Sequence, residues 1–299
     1  MWTLGTRKDK KLLAIEVVHF NGCSCIEISN LWNALYRSFN STQSCQVYIS
    51  LLEEIPSKEA LTWALFSRKE LFQAIKKCNN LSSPELDKLS WRHIKMIPQN
   101  KDCIFKLIDI TDACINLGYW SNYFKTSTMV IIPKPNKLFY DTPKYFCSIV
   151  LLNTLGKLFK KMIGERLQFH LISNNFVHQC QLGGLKHRFT TNAGIALTHF
   201  IRSEWVKNLS TSTLAFDIAQ FFPSLNHQIL PLILEKAGFD LKVSSFFKNY
   251  LVSRKTTYLW NNFSSPLCNV DVGVGQGSAL SPFYLLCIFL QFSTSLKNN

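Results

Sequence analysis

The sequence of 299 residues predicts an α+β fold, in which helices are mixed with a small, mainly antiparallel sheet. The β-branched run Ser127–Ile132 predicts a strand that ends at Pro133, because proline cannot donate to a sheet ladder. A capping box at Ser67–Glu70, followed by apolar residues on one face, predicts a helix. The strands and helices do not alternate strictly, which favours α+β over a parallel α/β architecture.

The first half of the chain contains three predicted helices. Apolar residues at helical spacing indicate helices at about 31–39, 68–78 and 101–117, the last of which ends at a glycine. Apart from the first of these helices, residues 1–60 carry weak signals. We therefore expect an upstream segment of uncertain structure at 1–60 and one domain at 61–299.

The second half alternates predicted helices with short strands. Helical patterns lie at about 153–172, 190–207, 226–237 and 240–252, and strand patterns lie at 211–217, 255–261 and 268–272. A glycine-rich turn, Gly273–Gly277, opens a final apolar helix. We expect the three strands to lie in one sheet with helices on a single face.

The composition points to an anionic partner. Thirty-three Lys and Arg against nineteen Asp and Glu give a net charge of +14 and a pI of about 9.3, which is typical of nucleic-acid binding. A basic protein with no such partner is the alternative. The longest apolar run, 283–290, is too short to span a membrane. The ten scattered cysteines predict reduced thiols in an intracellular, nuclear or cytoplasmic protein without a structural metal.

One carboxylate stands out. Asp217 closes the apolar run of the predicted strand 211–217, and a carboxylate there is costly unless it is paired, hydrogen-bonded or bound to a metal. In a basic chain, Mg²⁺ that also holds phosphates is a natural partner. A strand-end Asp that caps the following turn is the alternative.

Several blocks resemble, in the same order, the reverse transcriptase domain of non-LTR (LINE-type) retrotransposons, over about residues 60–290. The matching blocks are Phe66–Trp91, Val130–Lys137, Ser148–Lys157 with Glu165–Leu167, Gln181–Gly183 with Thr191–Ala193, motif A at Asp217–Ser224, and motif B at Gly273–Pro282. The resemblance implies an RNA-directed DNA polymerase with a right-hand fold, of which this chain holds the fingers and the first part of the palm. It also implies an RNA template and a DNA primer as partners, and no membrane. The oligomeric state stays open.

The resemblance implies a role for seven residues. Asp217 and the backbone carbonyl of Ile218 match metal ligands, and Mg²⁺ is the expected cofactor. Lys134 matches a lysine that meets the incoming triphosphate, and Phe222 matches the aromatic ring that closes against the sugar 2′-position. Gly275, Gln276 and Gly277 match the motif B turn, in which glycine allows close approach to template and primer, and Gln276 also contacts the nucleotide.

The chain also departs from the family pattern. Motif C, a Tyr-x-Asp-Asp turn with the other two metal carboxylates, is absent from the 299 residues, and so is the thumb; Cys287–Asn299 holds no Asp or Glu. Cys147 stands where the family has an arginine, and residues 84–87 and Asn192 differ as well. Each of these substitutions is reachable by a single C→T or G→A change, a pattern that suggests a decaying copy of a transposable element.

The sequence therefore predicts a truncated, catalytically inactive reverse transcriptase fragment. The alternatives are a non-catalytic basic nucleic-acid-binding protein and a degenerate copy without function. Because the strands that carry motif C are absent, we also expect the final helix to expose apolar side chains. The residues concerned are Phe283, Leu286, Phe289 and Leu290.

Overall fold

The computed structural model contains both helices and sheet, as the predicted α+β class requires. It describes residues 18–25, 27–43, 45–46, 59–80, 88–178, 180–185, 188–218, 220–260, 263–275 and 277–287. The helices are α1 (Ile28–Phe39), α2 (Arg68–Lys76), α3 (Trp91–Ile94), α4 (Lys101–Asn116), α5 (Thr154–Ser173), α6 (Thr190–Val206), α7 (Phe221–Ser224), α8 (Ile229–Lys236) and α9 (Leu241–Leu251). The strands are β1 (Val18–Phe20), β2 (Cys23–Cys25), β3 (Thr126–Pro133), β4 (Phe146–Leu151), β5 (Arg254–Trp260), β6 (Phe263–Ser264) and β7 (Cys268–Val270). Residues 281–287 are helical.

The main sheet has the order β4-β3-β5-β6, with β7 also paired to β5. Strand β3 is antiparallel to β4 and parallel to β5, whereas β6 and β7 are both antiparallel to β5. The sheet is therefore mainly antiparallel, and the strands expected near 127–132, 255–261 and 268–272 all belong to it. A separate hairpin joins β1 and β2.

The expected strand at 211–217 is wrong. Residues 209–218 have no helix or strand assignment, and the side chains from Ser212 to Ile218 are exposed; Phe216 is 87% exposed. A strand depends on hydrogen bonds to a neighbouring strand rather than on its own pattern. In the part of the chain that the structure describes, no strand pairs with this segment.

Local sequence signals explain where the helices begin. At α2, the Ser67 hydroxyl accepts from the Glu70 backbone N–H, and the Glu70 carboxylate accepts from the Ser67 N–H, so the predicted capping box is confirmed. At α5, the side-chain oxygen of Asn153 accepts from two backbone N–H groups of the first turn.

A large apolar core joins α2, α4, α5, α8, α9 and residues 280–287. The expectation that the final helix exposes its apolar side chains is wrong for Phe283 and Leu286, which are each 2% exposed. Phe283 stacks on Phe247 at 5.7 Å and meets the edge of Phe239 at 6.1 Å. Full burial of such a side chain contributes about 2 kcal/mol. Phe289 and Leu290 lie outside the described residues.

The upstream residues 18–43 pack against one face of the main sheet. Val18, Trp32, Leu35 and Phe39 share an apolar cluster with four sheet residues. The sheet residues of this cluster are Ile131, Phe146, Tyr258 and Trp260. The Tyr258 ring stacks on both Trp32 and Phe39 at centroid distances of 6.4 Å. The same face of the sheet therefore depends on residues that are far upstream in the chain.

A run of exposed apolar side chains lies on α6 and in the segment that follows it. No residue of α6 is buried. The large apolar side chains left exposed are Ile195, Leu197, Phe200, Trp205 and Val206 on α6, then Leu209, Leu214, Phe216 and Ile218. The sequence did not predict this exposed apolar surface, which lies on α6 and up to the start of motif A and not on the final helix.

Two further properties bear on function. No helix in the described ranges is both long and apolar enough to cross a membrane. All ten cysteines lie in described residues, and each is a free thiol.

Candidate functional site

The motif A segment begins in exposed, irregular backbone and ends in a short helix. Asp217 and Ile218 are both solvent-exposed. Gln220 then adopts a left-handed conformation with φ of 52°, and α7 follows directly. Phe222, the expected sugar-facing ring, is half-buried in α7 and meets the edge of Phe221 at 5.3 Å. Asp217 is thus accessible, whereas Phe222 is anchored against the core.

Two backbone hydrogen bonds join motif B to motif A and to the residue that directly follows it. The Val274 N–H donates to the Phe222 carbonyl at 2.8 Å, and the Gly273 N–H donates to the Leu225 carbonyl at 2.7 Å. About fifty residues separate these partners in the sequence. The structure therefore brings together the two segments that the sequence singled out.

Gly273 occupies a position that only glycine fits well. Its φ is +73°, and an added Cβ would lie 2.5 Å from the Pro223 carbonyl oxygen. Side chains rarely adopt that φ, and the Pro223 backbone leaves no room for one. The glycine therefore permits the close approach of motif B to motif A.

The side chains of Arg254 and His227 both contact the Gly273 carbonyl oxygen. Arg254 Nη2 donates to the Gly273 carbonyl oxygen, and the same nitrogen lies 2.7 Å from His227 Nε2. Burial and, to a smaller extent, the Arg254 charge together lower the pKa of His227 to about 4, against the opposing effect of the hydrogen bond to the Gly273 carbonyl. His227 is therefore neutral at physiological pH, which allows Arg254 to stay next to it.

The motif B turn continues from Gly275 into the final helix. An added Cβ at Gly275 would lie 3.3 Å from the side chain of Val150 on β4. The Gly275 carbonyl accepts from the Ser278 N–H at 3.0 Å and from the Ser281 hydroxyl at 2.8 Å. Gly277 is exposed, with φ of +103°. Gln276, the expected template and nucleotide contact, lies outside the described residues.

Lys134 lies in the connection between β3 and β4. Its backbone N–H donates to the Tyr145 carbonyl at 2.8 Å, and its carbonyl accepts from the Tyr140 hydroxyl at 2.7 Å. Its side chain is half-buried, and it forms no ion pair with Asp217. The structure therefore does not bring Lys134 into direct contact with Asp217.

Two exposed lysines flank an aromatic ring in the same connection. Lys137 and Lys144 place their ammonium groups 5.4 Å and 5.3 Å from the centre of the Tyr145 ring. The same connection exposes Leu138 and Phe139. We call residues 134–145 the basic loop. Such a combination of positive charge and exposed aromatic surface suits a nucleic-acid backbone and its bases.

The sequence reasoning missed the contribution of residues 41–43. The Thr42 hydroxyl donates to the Ser224 carbonyl at 3.3 Å, and the Gln43 side-chain amide donates to an Asp271 oxygen at 2.9 Å. These contacts link the upstream segment to motif A and to the residue between β7 and motif B. No local pattern in the sequence signals them, because they join residues far apart in the chain.

The described residues do not by themselves form the two-ion site that the resemblance implies. No group of three or more His, Cys, Asp or Glu side chains within these ranges is placed to hold a metal. Asp217, the carboxylate that the resemblance assigns to such a site, is exposed. A single carboxylate holds Mg²⁺ weakly, because this ion gives up its waters reluctantly.

The chain is similar to polymerases of insect transposable elements. It is 25% identical over 245 residues to the probable RNA-directed DNA polymerase from transposon BS of Drosophila melanogaster, covering 82% of this chain and 26% of the relative. It is 24% identical over 231 residues to the RNA-directed DNA polymerase from mobile element jockey of Drosophila funebris, covering 77% and 25%. The corresponding enzyme from the X-element of Drosophila melanogaster is 24% identical over 224 residues, covering 75% and 24%. No model of a known protein family matches the chain.

These similarities confirm the resemblance to the reverse transcriptases of non-LTR retrotransposons. The chain spans about a quarter of the length of the curated relatives it matches. It is therefore similar to a fragment of an RNA-directed DNA polymerase from a retrotransposon.

Proposed function

We propose that this chain forms the fingers and the first part of the palm of a retrotransposon reverse transcriptase, and that it binds nucleic acid without extending a primer on its own. In this proposal β3, β4 and the basic loop belong to the fingers, and residues 61–287 belong to one domain. Motifs A and B meet at the start of the palm. The upstream residues 18–43 pack against one face of the main sheet.

The observation that carries this proposal is the pair of backbone hydrogen bonds between Phe222–Leu225 and Gly273–Val274. A polymerase site needs the segment that holds the metal and the segment that contacts the template to be close together. In this chain Gly273 has the backbone conformation and the lack of a side chain that this closeness requires. If similar sequence blocks occurred by chance in an unrelated fold, these two segments would not be expected to lie next to each other.

The residue roles follow from the same proposal. Asp217 and the Ile218 carbonyl would contribute to the metal site, and Lys134 would meet the triphosphate. Phe222 would close against the sugar, and the motif B turn would contact template and primer through Gly275, Gln276 and Gly277. Mg²⁺, when bound in a complete site, stabilises the attacking 3′-oxygen and the leaving pyrophosphate. No group of three or more His, Cys, Asp or Glu side chains in the described residues is placed to hold a metal, so the 299-residue chain is expected to bind nucleic acid without polymerising.

Fluorescence anisotropy of a labelled primer–template duplex tests the binding. With roughly five phosphates neutralised, the slope of the logarithm of the association constant against log [KCl] should be about −4, so affinity should fall roughly 250-fold between 50 and 200 mM KCl. Lys144→Gln in the basic loop should reduce the magnitude of the slope by about 1. Lys106→Gln, at an exposed position of α4, is the matched control and should leave the slope unchanged if α4 faces away from the duplex. An affinity that does not change with the KCl concentration would contradict the proposed binding of nucleic acid.

A primer-extension assay tests the remaining part. The purified chain with an RNA template, DNA primer, dNTPs and Mg²⁺ should give no extended product. Template-dependent extension that disappears in Asp217→Ala would show that the chain completes a metal site by itself, and would contradict the proposed inactivity. Extension that survives in Asp217→Ala would indicate a contaminating polymerase, which is why the variant is part of the assay.

A further inference from the structure

A cavity of about 180 Å³ lies where the end of motif A, helices α8 and α9, motif B and the final helix meet. The buried residues in its lining are Leu225, Leu230, Leu251, Val274 and Tyr284. The remaining described residues of the lining are half-buried, so this side of the cavity borders the solvent and gives a small molecule access. We call this site the junction cavity.

Tyr284 contributes a polar group to the buried part of the junction cavity. Its side chain is 2% exposed, and its hydroxyl oxygen has no hydrogen-bond partner in the part of the chain that the structure describes. The Phe247 ring packs nearly perpendicular to the Tyr284 ring, with centroids 5.7 Å apart. A buried hydroxyl without a partner costs free energy. Burial also raises the pKa of Tyr284 well above its usual value, so the hydroxyl keeps a proton that it can donate.

The described lining of the junction cavity carries no charge at physiological pH. It contains no Asp, Glu, Lys or Arg, and its titratable groups are His227 and Tyr284. His227, with a pKa of about 4, is neutral, and its Nε2 lies 2.7 Å from the Gly273 carbonyl oxygen. The Arg254 guanidinium contacts His227 but does not line the cavity. A charged ligand would leave water without a counter-ion in this lining, so the cavity favours a neutral one.

We propose that the junction cavity binds one neutral molecule of the small aromatic alcohol class, with the Tyr284 hydroxyl donating to the oxygen of the ligand. The volume suits a single aromatic ring, because an apolar cavity of about 150 Å³ admits benzene. The other buried residues of the described lining are leucines and a valine, which pack against a ring and offer no polar side-chain atom. One donor in an apolar site therefore matches a ligand with one acceptor.

The bound ligand also stabilises the contact between motifs A and B. The Leu225 carbonyl accepts from the Gly273 N–H, and the Val274 N–H donates to the Phe222 carbonyl. Because Leu225 and Val274 both line the junction cavity, a ring inside it packs against a residue of each hydrogen-bonded segment. Ligand binding should therefore slow the local opening of these two hydrogen bonds. This site does not depend on the proposed binding of nucleic acid.

Fluorine NMR titrations of the 299-residue chain test the proposal with two probes. The first probe is 4-fluorobenzyl alcohol, and the second is 4-fluorotoluene, which has the same ring without the oxygen. The alcohol should bind with a Kd of roughly 0.1–1 mM, as expected for so small a ligand. Tyr284→Phe should weaken the alcohol at least fivefold, because its oxygen loses the donor, and should change the affinity for 4-fluorotoluene by less than about twofold.

Tyr258→Phe is the matched control for this variant. Tyr258 is also buried, at 1% exposure, but it belongs to the apolar cluster beneath the upstream residues and does not line the junction cavity. Its replacement should leave the affinity for both probes unchanged. Three outcomes would each overturn the proposal: no binding of the alcohol by the natural chain, an undiminished affinity in Tyr284→Phe, or an equal loss for both probes in that variant.

Hydrogen exchange of the natural chain locates the bound ligand without any variant. With saturating 4-fluorobenzyl alcohol, exchange of the Gly273 and Val274 amides should slow at least threefold more than exchange of the Lys255 amide, which bonds to the Lys125 carbonyl at 3.1 Å, outside the cavity lining. Equal slowing of all three amides, or no slowing, would place the ligand elsewhere and refute the junction cavity as its site.

Discussion

His227 should make this protein lose stability as the pH falls from about 6.5 towards 4. The pKa of this half-buried ring is about 4 in the folded chain, against 6.5 for an unperturbed histidine. Between these two values the unfolded chain binds a proton that the folded chain does not. Acid therefore favours the unfolded state, and the stability lost is regained as the pH rises through the same window.

The size of the effect follows from the two pKa values. A difference of about 2.5 units corresponds to roughly 3 kcal/mol when the whole window is crossed. Between pH 7 and pH 5 the linkage relation gives about 2 kcal/mol. Part of the ring remains in contact with solvent, so we expect 1–2 kcal/mol from this residue.

Urea unfolding at a series of pH values measures this contribution. The free energy of unfolding of the natural chain should fall by about 1–2 kcal/mol more, between pH 7 and pH 5, than that of His227→Gln. His170, whose pKa burial also lowers, is present in both proteins, so its contribution cancels. Identical pH profiles for the two proteins would refute the reasoning. An NMR titration in which the His227 ring protonates near pH 6.5 would refute it without any variant.

Three more outcomes are expected. Gly273→Ala should destabilise the chain by about 3 kcal/mol in urea unfolding, because its φ is positive and its Cβ would meet Pro223. Replacing Phe200 and Trp205 on the exposed face of α6 by lysine should raise the monomer fraction in sedimentation experiments, because large exposed apolar patches drive association. Asp217→Ala should change stability by less than about 0.5 kcal/mol, because the side chain is exposed, but should abolish any primer extension that a grafted Tyr-x-Asp-Asp segment and thumb restore.

The controls for these outcomes are present in the chain itself. Gly194, inside α6, has open space around it, so Gly194→Ala should stabilise by up to about 1 kcal/mol, opposite in sign to Gly273→Ala. If Gly273→Ala and Gly194→Ala destabilise the chain equally, the effect of Gly273→Ala cannot be assigned to its positive φ and its contact with Pro223. A natural chain that is already monomeric at high concentration would contradict the association expected of α6. If the ungrafted chain prepared in the same way gives no extension, extension by the grafted chain that persists in Asp217→Ala would exclude Asp217 as a metal ligand.

Local sequence determined most of the helices and the sheet strands. Caps such as Ser67 and Asn153 satisfy backbone groups within a few residues, so their effect is readable without the fold. The strand β3 is readable for a similar reason, because a β-branched run ends at Pro133. The order of the motif blocks was also sufficient to predict the resemblance that the relatives confirm.

Tertiary structure decided everything that depends on a distant partner. Residues 211–217 have a strand pattern but no strand to pair with in the described chain, whereas Phe283 finds Phe239 and Phe247 and is buried. The packing of the upstream residues on the sheet and the backbone hydrogen bonds that bring Phe222 and Leu225 to Gly273 and Val274 were equally invisible in the sequence. The physical reason is the same in each case. Hydrogen-bond ladders, apolar burial and charge pairing act between residues that are close in space, and only the folded chain determines which residues those are.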